Sequence, residues 1–122
     1  MKMPTETSVI IPKHDNDYAR TDVAQSIFET FVFYVSTHFG GCSVIEGKGF
    51  YKMSDTSIQC DEWWKVSIIH DKQDEVDACV QALINTLCKQ LSQQSVMVTY
   101  TEVGVMFAAE SKTNERDIYA LV

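Results

Sequence analysis

The most regular stretch of the chain follows Asp71. Val76, Cys79, Val80, Leu83, Ile84, Leu87, Cys88 and Leu91 recur there at steps of three and four, the spacing of one helix face. Asp71 is positioned to cap this helix, Asp74 and Glu75 put negative charge in its first turn, and Lys89 complements the far end of its dipole. An earlier helix is predicted where Ala24, Ile27, Phe28, Phe31, Tyr34 and Val35 repeat at the same spacing. Asp22 followed by Gln25 forms a possible capping box at its start, and Gly40 and Gly41 stop it near Phe39. Val23, Val32 and Phe33 widen its apolar arc beyond one stripe, which implies burial on more than one side, including against a partner.

Between the helices the period changes to two. From Ile58 to His70, residues Ile58, Cys60, Trp64, Val66 and Ile68 share one face, while Asp61, Trp63, Lys65, Ser67 and Ile69 share the other. The preceding stretch from Cys42 to Met53 has strand composition interrupted by Gly47 and Gly49, a mark of a bulge or close approach, and Ser54–Ser57 is a polar turn. Ser8–Ile11 is a short first strand ended by Pro12, which lacks a donor; His14–Arg20 is a polar loop. Ser95–Glu102 alternates Val96, Val98 and Tyr100 against Met97, Thr99 and Thr101. Beyond it Gly104 either turns a hairpin into Val105–Phe107 or bulges one long strand.

The resulting order, strand, helix, strand, strand, helix, strand, makes each helix a crossover between strands of one sheet. It predicts an α+β fold, a ferredoxin-like α/β plait (βαββαβ, with a possible extra C-terminal strand) whose two helices cover one face of a largely antiparallel sheet. The other face is left for solvent, a ligand or a second subunit. The 122 residues suit one domain spanning 1–122, with 1–6 and 111–122 expected to be weakly ordered. No apolar run reaches membrane-spanning length, and Met1–Lys13 lacks the apolar core of a secretory leader, so the expected compartment is the cytoplasm.

Charge narrows the partners. Seventeen acidic against ten basic residues give a net charge of -7, which repels a phosphate backbone and argues against nucleic acid. Lys48, Gly49, Phe50 and Tyr51 echo the aromatic strand of an RNA-recognition motif. However, Tyr51 stands where a small residue is required and the segment falls on the second strand, not the third. Cys42, Cys60, Cys79 and Cys88 lack zinc-ligand spacing, as do the scattered His14, His38 and His70. Reduced, structural thiols, no metal and no cofactor are expected.

Adjacent tryptophans in a strand must face opposite ways. Trp64 shares parity with Val66 and Ile68 and is assigned to the core, leaving Trp63 with Ile69 and Lys65 on the open face. Together with Tyr51 these are the candidate interface or binding residues. A subunit interface is favoured over a ligand floor, since two-fold dimers are common. Catalytic candidates are weak. His38 could lower the pKa of Cys42 across the two glycines, yet a helix C-terminus disfavours a thiolate and itself accounts for a histidine. His70 beside Asp71 reads as a helix-start feature. Glu46, Glu62 and Asp61 could supply carboxylates to a cleft on the open face, or simply be surface acids.

The stretch from Phe31 to Phe107 carries Phe39, Gly40 and Gly41 after a helix, Gly47 and Gly49 before Phe50 and Tyr51, and Gln94, Ser95 and Val96 after the second helix. In this it resembles small uncharacterised bacterial and mobile-element proteins. The resemblance implies a plait that often self-associates, and it supplies no catalytic residue. The leading expectation is a non-enzymatic accessory domain, a homodimer binding a protein or small ligand. One alternative is a small enzyme with a pocket between sheet and helix one, using Cys42 with His38 or Tyr51 with Glu46. Another is an acidic inhibitor of a basic partner surface.

Overall fold

The ends of the two helices set where the strands lie. In the computed structural model, which describes residues 4–93 and 96–103, the chain runs β1 (Thr5–Pro12), α1 (Thr21–Phe39), β2 (Ser43–Lys52), β3 (Ile58–His70), α2 (Gln73–Leu91) and β4 (Val98–Glu102). Helix α1 carries the chain past a vacant position before β2 forms. Strand β3 turns back into that position, and α2 then delivers β4 to the far side of β1. The sheet order is therefore β2-β3-β1-β4 with every neighbouring pair antiparallel. This is the ferredoxin-like plait anticipated from the element order.

The core lies between the helices and one sheet face. Val9 and Ile11 of β1 and Trp64, Val66 and Ile68 of β3 meet Phe31 and Val35 of α1 and Val76, Val80, Leu83, Leu87 and Leu91 of α2, all buried. The period-two reading of β3 holds from Trp64 to Ile68, but Ile58, assigned to the same face, is exposed because it lies beyond the reach of the helices. On α1, Val23 and Val32 pack against the core while Phe33 remains 75% exposed.

The helix starts differ from those read in the sequence. Helix α1 is entered through Arg20 in the left-handed conformation, φ 55°, with no side-chain cap. Gln25 does not close a capping box; its Nε2 donates to Glu29 Oε1 at 2.8 Å. The Asp15 carboxylate instead gathers the Asp17 and Ala19 N–H groups at 2.9 and 2.8 Å, winding the preceding loop into a turn. Two loop side chains reach the end of α2: Arg20 Nη1 donates to Gln90 O and Asn16 Nδ2 to Ser92 O, at 2.6 and 3.2 Å. For α2 the N-cap is Lys72 rather than Asp71, and its N–H is taken up by His70 Nδ1 at 3.2 Å. Gly40, φ 89°, closes α1 as its position suggested.

Strand β1 begins at Thr5, ahead of the expected Ser8, because Thr5 and Glu6 pair on both sides, with His70 and Ile69 of β3 and with Glu102 and Thr101 of β4. Strand β4 is shorter than expected, although Met97 O already accepts the Ile10 N–H at 3.1 Å. The alternatives at Gly104, the run Val105–Phe107 and the tail Ser111–Val122 lie outside the described residues, as does the pair Gln94 and Ser95.

Candidate interaction surfaces

Strand β2 is an edge. Its ladder to β3 is continuous from Ser43↔Ser67 to Lys52↔Ile58, without a bulge, while no strand among the described residues borders its other side. Because α1 and α2 rest on β1 and β3, every residue of β2 except Gly47 and Gly49 is exposed. The register with Trp64 and Val66 puts Val44, Glu46, Lys48 and Phe50 on the helix side, and Ile45, Gly47, Gly49 and Tyr51 on the open side. Glu46 receives the Trp64 indole N–H at 3.3 Å and pairs with Lys13 at 3.3 Å; Lys48 pairs with Glu62 at 3.6 Å. An exposed edge carrying Val44, Ile45, Phe50 and Tyr51 is the kind of strand that natural sheets usually blunt or cover.

The open face explains both glycines. The Trp63 ring lies against Gly47, where a β-carbon would overlap it, and the Tyr51 hydroxyl folds over Gly49. The close approach expected at these positions is thus made by aromatic side chains. Lys65 sits beside Ile45 and Ile10 in register, and Ile69 is half exposed beside Glu6. Between them Ser8 and Ser67 share a hydroxyl hydrogen bond of 2.8 Å across the strands.

At the hairpin end of this face lies a cleft of about 380 Å³, walled by Trp63, Tyr51, Gln59, Asp61 and His14. Asp61 Oδ1 accepts from Gln59 Nε2 at 3.0 Å and from the Tyr18 hydroxyl at 3.3 Å. His14 donates its Nδ1 proton to the Asp15 carbonyl at 2.8 Å and stacks on Tyr18, ring centroids 4.5 Å apart. Nε2 of the same ring is buried and has no hydrogen-bond partner among the described residues. His14, Tyr18 and Gln59 were not singled out in the sequence. The polar His14–Arg20 stretch was visible there, but its packing against β3 is a long-range contact with no local signature.

The residues proposed for catalysis are not brought together. Cys42 Sγ faces Ser36 Oγ at 3.6 Å, and the His38 imidazole packs on the Tyr34 ring at 4.0 Å. Tyr51 and Glu46 stand on opposite sheet faces, so they share no pocket. Of the three acids suggested for the open-face cleft, Asp61 and Glu62 both line it, Glu62 also bordering the helix-side groove and pairing with Lys48, whereas Glu46 lies on the helix side with Lys13. A groove of about 390 Å³ does lie between the sheet and α1, but Phe28, Trp64, Lys13 and Glu46 line it, without Cys42, His38 or Tyr51. A further groove, about 630 Å³, runs between α1 and α2 and has Glu75 as its one charged lining residue among those described. Among the described residues no group of three or more metal-ligating side chains converges, and no helix is long and apolar enough to cross a membrane.

Fold and surface together define a ferredoxin-like α/β plait in which, among the described residues, one sheet face is uncovered and an apolar edge strand is unpaired. The chain belongs to the DUF3574 family of proteins of unknown function, whose pattern matches residues 9–107. No curated protein matches it. Its fold is similar to that of a phage SAM lyase solved in complex with S-methyl-5'-thioadenosine, at 16% identity, TM-score 0.57, over 84% of this chain and 83% of that one. It is also similar to a DUF3240-family protein from Shewanella baltica, at 14% identity, TM-score 0.52, over 90% and 100% of the two chains. A third likeness is to CutA1 from Oryza sativa, at 9% identity, TM-score 0.50, over 87% and 85%. At these identities the likeness carries the fold alone.

Proposed function

We propose that the chain is a non-enzymatic, cytoplasmic binding domain that assembles with a second copy of itself through β2 and the adjoining open face. The observation that carries this reading is the β2 edge, ten residues long and exposed along its length, with Val44, Ile45, Phe50 and Tyr51 uncovered. Covering them against water is favourable by about 25 cal/mol per Å², and pairing the edge satisfies its outward N–H and C=O groups. Trp63, Ile69, Tyr51 and Lys65 continue the surface on the open face. The free cysteines suit a reducing compartment, and the net charge of -7 argues against nucleic acid as partner. Sedimentation velocity at low micromolar concentration tests the assembly. A species of twice the 13.8 kDa chain mass is expected, and a persistent monomer overturns it.

A second reading rests on the cleft. His14 Nε2, buried and without a partner among the described residues, and the Trp63 and Tyr51 rings suit a flat ligand that hydrogen-bonds the imidazole. The phage SAM lyase shares the fold and was solved with S-methyl-5'-thioadenosine, which makes that nucleoside the first compound to titrate. A saturable rise in melting temperature, abolished by His14→Ala, is expected on this reading; no rise at millimolar nucleoside excludes it.

A further inference from the structure

Strand β2 carries, in its own sequence, the complement of itself. The hydrogen bond from Met53 N–H to Ser57 O, 2.8 Å, closes the β2–β3 ladder at its turn. Hydrogen-bonded pairs alternate along an antiparallel ladder, so from Met53 backwards Tyr51, Gly49, Gly47 and Ile45 aim their backbone groups at β3. Val44, Glu46, Lys48 and Phe50 aim theirs outward. A second β2 running antiparallel can bond only outward group to outward group. That requirement removes every register in which an even-numbered residue faces an odd-numbered one, and it places the helix layers of both copies on the same side.

The side chains then choose among the remaining registers. With the two-fold axis at Gly47, near the middle of Ser43–Lys52, Glu46 faces Lys48 of the second copy and Val44 faces its Phe50, each pair occurring twice. A two-fold at Glu46 or at Lys48 would instead set like charges opposite each other, which destabilises a ladder. With the axis at Gly47, each Glu46, already paired with Lys13 of its own chain, meets a Lys48 already paired with Glu62 of the other. The charges alternate in sign from Lys13 through Glu46 across the junction to Lys48 and Glu62 of the second copy. The Glu46 and Lys48 side chains are 69% and 60% exposed in the single chain, free to accept this neighbour.

We infer that two copies join β2 to β2 antiparallel about a two-fold axis at Gly47, forming one eight-stranded sheet held in register by reciprocal Glu46–Lys48 pairs. This rests on the self-association proposed above, and it adds the register. Two single charge reversals test it, Glu46→Lys and Lys48→Glu, with one variant isotopically labelled for native mass spectrometry beside sedimentation. Each variant alone faces like charge with like charge at both pairs, and its dimer is expected to weaken on the order of tenfold or more. Mixed in equal amounts they restore opposite charges at both pairs, so a mixed dimer of near wild-type affinity is expected. If Lys48→Glu alone dimerises as well as wild type, or the mixture associates no better than its components, the register is overturned while wild-type dimerisation keeps the assembly reading. If wild type itself is monomeric, both fall. Val44→Pro gives a test that leaves every charge in place: it removes an outward N–H that β3 does not use, and an unchanged dimer would likewise exclude this junction.

Discussion

Replacing Trp64 by alanine tests strand parity, the core and the helix packing in one measurement. The indole is 6% exposed, stacks on Phe28 with ring centroids 4.3 Å apart and planes 12° apart, and lies beneath Lys13 Nζ at 5.0 Å. Truncating a buried aromatic of this size costs about 3–5 kcal/mol in transfer and cavity terms. The stacked pair adds about 0.5–1.5 kcal/mol beyond area. Loss of the indole N–H orphans no buried charge, because Glu46 is exposed and stays hydrated and paired with Lys13. A total of about 5 kcal/mol is a large share of the roughly 5–15 kcal/mol that stabilises a domain. With a urea slope of about 2 kcal/mol per molar, the midpoint should fall by about 2.5 M. Urea unfolding followed by far-ultraviolet circular dichroism reads this directly. Trp63→Ala, which uncovers a half-buried ring over Gly47, should cost only roughly 1–2 kcal/mol. If Trp64→Ala moves the midpoint by less than about 0.5 M while Trp63→Ala unfolds the chain, the parity of β3 is wrong and every side chain assigned to the open face changes sides.

Three further outcomes follow from single groups. His70 is buried, accepts the Lys72 N–H at Nδ1 and so carries its proton on Nε2, which donates to Thr7 Oγ1 at 2.7 Å. Burial holds its pKa below 6.5 although Asp77 and Asp71 pull the other way. The unfolded chain therefore binds this proton first, and the stability from His70 should decline as the pH falls below about 6.5, a slope that His70→Gln removes from urea midpoints taken across that range. Gly47→Val should expel the Trp63 ring, costing about 1–3 kcal/mol and shifting tryptophan emission toward that of a hydrated indole. Cys79, partly buried and with its thiol pKa raised by desolvation, should be alkylated by iodoacetamide more slowly than the exposed Cys88, as peptide mass spectrometry can follow.

What the sequence made legible was what repeats locally. The spacing from Val76 to Leu91 drew α2, the parity of Trp64, Val66 and Ile68 drew the buried face of β3, and Gly40 marked the end of α1. The helix starts were misread because Asp22 and Asp71 have the right side chains for caps, while the backbone enters through a left-handed Arg20 in one case and beneath the His70 imidazole in the other. Strand order is not written in any one segment, and so neither was the status of β2 as an edge. The same gap grouped Glu46 with Asp61 and Glu62; only the pairing of β2 with β3 sets Glu46 away from the cleft that the other two line. The cleft depends on contacts such as Tyr18 with Asp61, 43 positions apart, and a single sequence carries no trace of them.

The clasp between the first loop and the end of α2 bears on how long the molecule stays folded. Asn16 reaches Ser92 across 76 positions and Arg20 reaches Gln90 across 70, so neither bond can form until both helices have settled on the sheet and brought the chain's two halves together. As surface bonds expected to close after the core packs, they should act on escape from the native state rather than on arrival there. Each is a solvent-exposed bond worth about 0.5–1.5 kcal/mol, and together they bolt the joint from which the chain departs toward β4. In chevron plots, loosening them by Asn16→Ala or Arg20→Ala should leave the refolding arm in place and raise the unfolding arm, which would make this exposed loop a determinant of native-state lifetime.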